Sequence, residues 1–548
     1  MTKKQKLELT WVGKENRSRL EPRILIEDAA KSYHAAARVS ENDIFDNVLI
    51  RGDNLLALKA LEADYAGKVK CVFIDPPYNT GSAFAQYNDG LEHSIWLSLM
   101  RARLEIIRRL LSEDGSLWVT LDDNEAHYFK VMCDEVFGRS NFVANAVWQK
   151  KYTVANDAKW LSDSHDHVLV YAQRKDIWRP NRLARSGAMN DRYRNPDQHP
   201  KGPWKATPLY AKRTGSEKER AFSFTFKNGV VWSPPRGTSP RFPAESLQRM
   251  DENDEIWFGA DGLAGPSRKT FLRELKIEGP PASTVWLHTE VGHNHEAREE
   301  VKAANPDDPF DTPKPERLLK RVLELATDPG DLVLDSFAGS GTTGSVAHKM
   351  GRRWIMVELG DHCVTHIMPR LRKVIDGTDQ GGVSKAVNWN GGGGFRYFEL
   401  APSLLETDKW GREIISKEYD AGMLAQALCK LEGFIYAPSP DVYWQQGHSS
   451  ESDFLYVTTQ TLGPEELAAL SEDVGEGRSL LILCAAFRGS AELWPNLTIR
   501  KIPNHIRSRC EWGHDDYSLN VANLTQEAQV KAAPLAREPG LFDDGDAA

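Results

Sequence analysis

The stretch Cys71-Val72-Phe73-Ile74-Asp75-Pro76-Pro77-Tyr78 runs from apolar residues straight into two prolines. Cys71 to Ile74 reads as a buried strand. The prolines end it, because each lacks a backbone donor and fixes its own φ. A carboxylate, a rigid carbonyl and an aromatic ring are thereby presented together at a strand's carboxyl end, the edge where open α/β sheets bind ligands. The chemical complement of that set is a flat amine, with acceptors for its hydrogens and a ring to stack on its face.

The flanking chain supplies a sheet for this strand. Asn47 to Ile50 predicts an earlier strand, ended by Arg51-Gly52-Asp53, and Leu55, Leu58 and Leu61 predict a helix between the two. Strand, helix and strand make a βαβ unit with a right-handed crossover. Trp96, Met100, Leu104, Ile107 and Leu111 share one face of a helix over 94–111. A strand over Ser116 to Leu121 comes next, and Asp122 to Glu125 open a helix that runs to about Val136, with acidic side chains at its positive end.

A second informative stretch lies far along the chain. Thr312-Pro313-Lys314-Pro315 leads into an amphipathic helix over 316–326, and Leu332 to Leu334 is a strand. Asp335-Ser336-Phe337-Ala338-Gly339-Ser340-Gly341-Thr342-Thr343 is then a small-residue loop opening a helix, and Trp354 to Val357 is a strand ending at Glu358. Glycines let the backbone approach a ligand at a helix N-terminus, and an acid after the next strand suits ribose hydroxyls. No Gly-Lys is followed by Ser or Thr, so a nucleoside fits better than a polyphosphate.

Between these halves the composition changes. Lys and Arg outnumber acids over 174–220, with Trp178, Tyr193, Trp204 and Tyr210 interleaved, in a chain whose net charge is −9. Such a stretch suits phosphate contacts plus packing on bases or sugars. Gly391 to Gly394 reads as a linker, followed by strands such as Leu480 to Leu483 and helices over 423–431 and 465–471.

The length of 548 residues predicts several domains, and 41% hydrophobic with 27% charged residues describes a soluble globular protein. No apolar run reaches a membrane span, and the start lacks a signal-peptide segment. Six scattered cysteines without a Cys-x-x-Cys pair argue for reduced thiols in a cytoplasm, without zinc or disulfides. His293, His295 and Glu296 do not have the His-Glu-x-x-His spacing, and no metal is expected.

Taken together, the two stretches resemble those of amino-group DNA methyltransferases that use S-adenosylmethionine. The catalytic motif precedes the glycine loop, an order similar to that of the circularly permuted beta group. The longer match, Asp75-Pro76-Pro77-Tyr78-Asn79-Thr80-Gly81, resembles the modification subunit of Type III restriction–modification systems. So do Val291 to Ala297, Thr312 to Pro315 and Gly394 to Leu400.

The resemblance implies a Rossmann-like α/β methyltransferase fold in permuted order, with an inserted target-recognition domain and a C-terminal α+β domain. The expected divisions are an N-terminal extension over 1–45, a catalytic half over 46–149, a recognition domain over 150–300 and a cofactor half over 301–378. A linker over 379–394, a C-terminal assembly domain over 395–540 and an acidic tail over 541–548 complete the chain. The resemblance also assigns roles. Asp75, Pro76, Pro77 and Tyr78 would bind the target base. Asp335, Phe337, Ala338, Gly339, Ser340, Gly341 and Thr342 would cradle S-adenosylmethionine, with Glu358 on its ribose and Asp53 on its adenine. Thr312 and Lys314 would close over its methionine part. Double-stranded DNA, a second copy of the chain and a helicase–nuclease restriction subunit are the implied partners.

An exocyclic amine of adenine is a weak nucleophile, because its lone pair is delocalised into the ring. Asp75 and the Pro76 carbonyl would draw its hydrogens out of plane, on a base flipped out of the duplex and stacked on Tyr78. No cysteine follows a proline, so the covalent route to cytosine C5 is not expected. Cytosine N4 is the chemical alternative, although that group usually has Ser at the position of Asp75. A non-catalytic DNA-specificity subunit is the alternative of another class.

Overall fold

A computed structural model of the chain describes residues 8–79, 89–156, 158–185, 187–275 and 279–518. The expectations for Thr80, Gly81 and the tail over 541–548 fall outside these residues. The described chain divides into two compact units, one of residues 181–282 and one of the remainder.

The larger unit is built on one mixed sheet. Its principal strands are β1 (Asn47–Arg51), β2 (Val69–Ile74), β3 (Leu111–Leu121), β4 (Phe142–Gln149), β5 (His165–Ala172), β6 (Leu332–Asp335), β7 (Arg353–Glu358) and β8 (Gly394–Leu400). They lie in the order β8-β1-β7-β6-β2-β3-β5-β4. From β8 to β3 every neighbouring pair is parallel, and β5 is antiparallel to both β3 and β4. This is an α/β sheet of the Rossmann-like type expected.

The apolar runs are buried because helices cover both faces of a parallel sheet. Val72, Ile74, Val119, Leu334 and Ile355 pack in one core with Trp96, Met100, Leu104 and Ile107 of the helix Asp89–Leu110. β1 and β2 share the sheet, but β7 and β6 from the later half lie between them, so the expected βαβ unit is not a neighbouring pair. Adjacent β6 and β2 come from the two separate halves of the chain, and this junction positions the site.

Several expected divisions shift. Of the segment over 150–300, expected to be a recognition domain, only 181–282 forms a separate compact unit, because apolar β5 completes the sheet of the larger unit. The Gly391 to Gly394 stretch is a packed crossing instead of a loose linker: a Cβ on Gly393 would lie 2.6 Å from the Ile44 carbonyl. Gly394 itself begins β8. The described part of the N-terminal extension is docked as well. Leu25–Glu27 pairs with β8, while buried Arg23 donates to the Ala401 carbonyl.

After β8, a five-stranded sheet includes Asp453–Leu462, Ser479–Phe487 and Leu497–Lys501, flanked by helices Ala421–Glu432 and Pro464–Val474. Ile24 and Ala401 share one of its cores, so this region belongs to the larger unit.

Residues 181–282 form a small unit of their own. The three-stranded antiparallel sheet of Trp204–Pro208, Ile256–Trp257 and Ser267–Phe271 accompanies the helix Ala244–Glu252. Leu209, Phe226, Trp232, Leu247, Met250 and Ile256 are its buried cluster.

Candidate active site

A cavity of about 950 Å³ opens at the carboxyl ends of β2 and β6. Register pairs Leu334 with Val72, so the chain leaves the sheet at Asp335 and Asp75 on neighbouring strands. Asp75, Pro76, Pro77 and Tyr78 all line the cavity. So do Thr312, Lys314, Asp335, Phe337, Ala338, Gly339, Ser340, Thr342 and Glu358.

Asp75 is held from two sides. Thr120 of β3 donates to its Oδ1, and the Lys314 ammonium sits on its Oδ2. Lys314 also lies over the Tyr78 ring, 5.1 Å from its centroid. The residue expected over a cofactor's methionine part therefore holds the Asp75 carboxylate in this structure. Tyr78 donates to Asp166 Oδ2 at 3.1 Å, and Asp166 in turn pairs with Lys150 at 2.7 Å. Burial, then the Asp75 and Asp166 carboxylates, push the Tyr78 hydroxyl well above its ordinary pKa, so it stays a neutral donor. The Pro77 carbonyl accepts the Trp96 indole N–H at 2.7 Å.

The glycine loop forms because the chain turns sharply out of β6. Gly339 and Gly341 adopt φ of +53° and +74°, a region that side chains disfavour. A Cβ on Gly341 would meet the Ile367 side chain at 2.9 Å. The Gly339 N–H donates to Glu358 Oε2 at 2.8 Å. Glu358 also accepts from the Gly360 N–H at 3.1 Å and pairs with His362 at 3.0 Å. Burial raises the Glu358 carboxyl, but His362 and the backbone donors outweigh it and hold the group below the ordinary range. Its partner is raised: the bond to Glu358 favours His362 protonation.

Asp335 differs. Burial pushes its carboxyl up to about 7, against hydrogen bonds from Thr343 and the Phe337 N–H and with a further push from Asp75 and Glu358. The loop is braced from behind through Thr342, whose hydroxyl bonds Ser340 at 2.9 Å and accepts from Arg370 at 2.8 Å. Arg370 reaches buried Glu316, which also holds Lys349, Ser345 and the Val383 N–H.

Two expected site residues stand elsewhere. Asp53, expected on the cofactor's adenine, caps the helix Asn54–Tyr65 through the Leu55 and Leu56 N–H groups. Its other oxygen takes the Tyr517 N–H at 3.0 Å and faces Arg103, and it does not line the cavity. Gly341 lies behind the lining, at the start of the helix Thr342–Lys349.

The cavity also includes residues not singled out in the sequence, among them Lys150, Tyr152, Asp166, Phe310 and His362. Asp166 carried one signal, a carboxylate at the head of an apolar strand. Phe310 lies 3.5 Å from where a Gly339 Cβ would be. His293 and His295 line the cavity, but the His293 ring caps the helix Asn294–Ala304, and Glu296 is bound to Arg317. Elsewhere Asp123, His127 and His167 bring ligand atoms within 4.8 Å of one another, outside the cavity lining.

Of the aromatics expected to pack on nucleic acid, Trp178, Tyr193 and Trp204 are buried, with Trp178 edge-on to Trp118, Tyr193 under Arg185 and Lys205, and Trp204 against Trp257, while Tyr210 is half-buried. Arg213 is paired with Glu219 at 2.6 Å, whereas Arg182, Arg192, Arg194, Lys205 and Lys212 are exposed.

Comparison with known proteins agrees with this geometry. The family model described as DNA methylase (N6_N4_Mtase) matches residues 69–369. The chain is 31% identical over 464 residues to the probable type III restriction-modification enzyme HindVI Mod subunit of Haemophilus influenzae, covering 74% of this chain and 60% of that protein. It is 33% identical over 339 residues to the StyLTI Mod subunit of Salmonella typhimurium, covering 56% of this chain and 50% of that one. The chain thus spans between half and two thirds of these relatives' lengths. A solved cytosine-N4-specific PvuII DNA methyltransferase shares 15% identity at a TM-score of 0.34, covering 65% of this chain and 98% of that chain. More than half of the chain lies within the family match, and the chain belongs to the DNA methylase (N6_N4_Mtase) family.

Proposed function

We propose that the chain is a site-specific DNA methyltransferase that moves a methyl group from S-adenosylmethionine to the exocyclic N6 amine of adenine in double-stranded DNA. One observation carries this reading: the Asp75–Tyr78 tetrad, the Gly339 loop and Glu358 open on the same cavity. The donor set fits the cofactor. A glycine backbone allows close approach, Glu358 offers carboxylate oxygens to ribose hydroxyls, and Phe310 and Phe337 supply apolar walls. When bound, the cofactor supplies an electrophilic methyl group on a sulfonium that leaves as a neutral thioether.

The chain's own residues handle the amine. Asp75 Oδ2 and the Pro76 carbonyl accept its two hydrogens once Lys314 withdraws, which directs the nitrogen lone pair out of the ring plane. Among the described residues none donates to the Pro76 carbonyl, whereas that of Pro77 is taken by Trp96. Tyr78, fixed through Asp166, offers the face on which an extruded base stacks. After transfer the amine proton passes to Asp75.

Residues 181–282 are the proposed recognition module, with exposed Arg and Lys positioning the phosphates and a few side chains reading base edges. The likeness to Mod subunits supports a role as the modification subunit of a Type III restriction–modification system beside a separate restriction subunit; that the chain also carries recognition and acts as a dimer is part of the proposal. The test is methyl transfer by the purified chain with labelled cofactor and genomic DNA, followed by nucleoside analysis. N6-methyladenine is the expected product. N4-methylcytosine, or no transfer, would overturn the reading.

A further inference from the structure

The connection from β4 to β5 spans residues 150–164, and its two ends have opposite characters. Its base is built into the site. Lys150 ion-pairs with Asp166 at 2.7 Å and with Asp163 at 2.8 Å, and the Lys150 carbonyl accepts the Asn294 N–H at 3.0 Å. Lys150, Lys151, Tyr152 and Thr153 line the cavity. Its outer part carries three bare apolar side chains: Trp160 and Leu161 are both 92% exposed, and Val154 is 74% exposed. Isolated exposed apolar residues are ordinary. A bulky adjacent pair on a loop anchored to a catalytic cavity is not, because the loop gains no packing from it.

We propose that Trp160 and Leu161 form a wedge that enters the DNA base stack and fills the gap left by the extruded target base. The inference rests on the methyltransferase reading above and deepens it. Three observations select duplex DNA as the occupant. The loop borders the mouth through which a base must enter, so whatever delivers that base also brings its stacked neighbours to this rim. Lys151 and Lys159 on the same loop are exposed, with no carboxylate partner among the described residues, which suits flanking phosphates. A planar indole beside a branched aliphatic matches the stacked, water-poor interior between base pairs, where apolar wedges are used to unstack a step.

The anchor gives the wedge a route to the site. Lys150 holds Asp166, and Asp166 holds the Tyr78 hydroxyl, so the loop base and the base-stacking ring share one hydrogen-bonded chain. Insertion at the tip and stacking at Tyr78 would then be two ends of a single rigid path.

The test uses the full chain and a duplex carrying its methylated site, identified beforehand by sequencing modified bases. Trp160→Ala/Leu161→Ala removes the tip, and its exposure means that folding should not suffer. On the paired duplex kcat/KM should fall by about tenfold or more, since extrusion loses its filler. On a duplex with the target adenine opposite an abasic site, where extrusion is already easy, the variant should return to within about threefold of wild type. Equal activity of variant and wild type on the paired duplex would overturn the wedge. So would a loss that the abasic partner does not relieve, or a changed oligomeric state with unchanged activity, which would mark a protein interface. Absence of any modified motif in that sequencing, with no methyl transfer by the wild-type chain to genomic DNA, would overturn the methyltransferase reading itself and the wedge with it.

Discussion

Lys314 reaches across 239 residues of sequence to place its ammonium on Asp75 and over the face of Tyr78. One cation thus covers both groups that a flat amine would need. On the proposed reaction it occupies the amine's place and yields when a base arrives. The arrangement also keeps a partly buried carboxylate paired until the substrate takes over. Lys314→Met, which keeps the length and drops the charge, should lower kcat/KM by roughly 10–100-fold, because Asp75 is no longer held ready before the base arrives. Steady-state kinetics on genomic DNA tests this, and an unchanged kcat/KM would show that the pair with Asp75 does not prepare the site.

The glycine loop makes a separate prediction. Gly339 combines a positive φ with a Cβ direction toward the Phe310 ring. Gly339→Asp strains the loop, fills space at the cavity wall and sets a second negative charge near Glu358. Titration calorimetry with S-adenosylmethionine should show no measurable binding to a variant that is folded by circular dichroism. Wild-type affinity would remove the loop from the cofactor site.

Glu316 predicts a structural effect. Its carboxylate, 1% exposed, binds Lys349 and Arg370 and so ties together three helices behind the loop. Glu316→Ala leaves buried Arg370 without its carboxylate and Lys349 with Asp379 alone, which should cost about 3–5 kcal/mol. Thermal melts read this, and a drop of only a degree or two would mean that solvent reaches the pair easily.

Asp335 predicts a pH dependence. Its folded pKa of about 7 lies above the ordinary value of 3.8, so the fold favours the neutral acid. Its stabilising contribution is whole below the unfolded pKa and is lost as pH rises through the folded pKa. Asp335→Asn cannot ionise and should lack this part of the slope, gaining on the wild type between about pH 4 and 7. Parallel pH-melt curves for the two proteins would contradict the role of burial at this carboxyl.

Legibility in the sequence depended on range. Cys71 to Ile74 and Leu332 to Leu334 were legible because a strand buried on both faces must be apolar throughout, and the Gly339 loop because only glycine turns there cheaply. Asp75 was legible because a pair of prolines marks where its strand must stop. The neighbourhood of β6 and β2 is a long-range pairing that no local pattern encodes, and the motif order alone hinted at it. Burial of Trp178 and Trp204 was missed because an aromatic beside Arg looks the same whether the ring faces nucleic acid or a core. Asp53 was misplaced for a similar reason: an acid after a strand can face a ligand or cap the next helix, and here it caps. Lys150 and Asp166 were silent because their value lies in contacts with each other and with Tyr78.

The most direct test of the central claim, that Asp75 carries methyl transfer to adenine N6, is modified-base sequencing of DNA from cells expressing either the wild-type chain or Asp75→Ala. Wild type should mark adenine at one recurring motif. The variant, whose cofactor loop is untouched, should bind S-adenosylmethionine with about the same affinity and leave that motif unmodified. Modification by Asp75→Ala at the wild-type level, or marks on cytosine instead of adenine, would contradict the account.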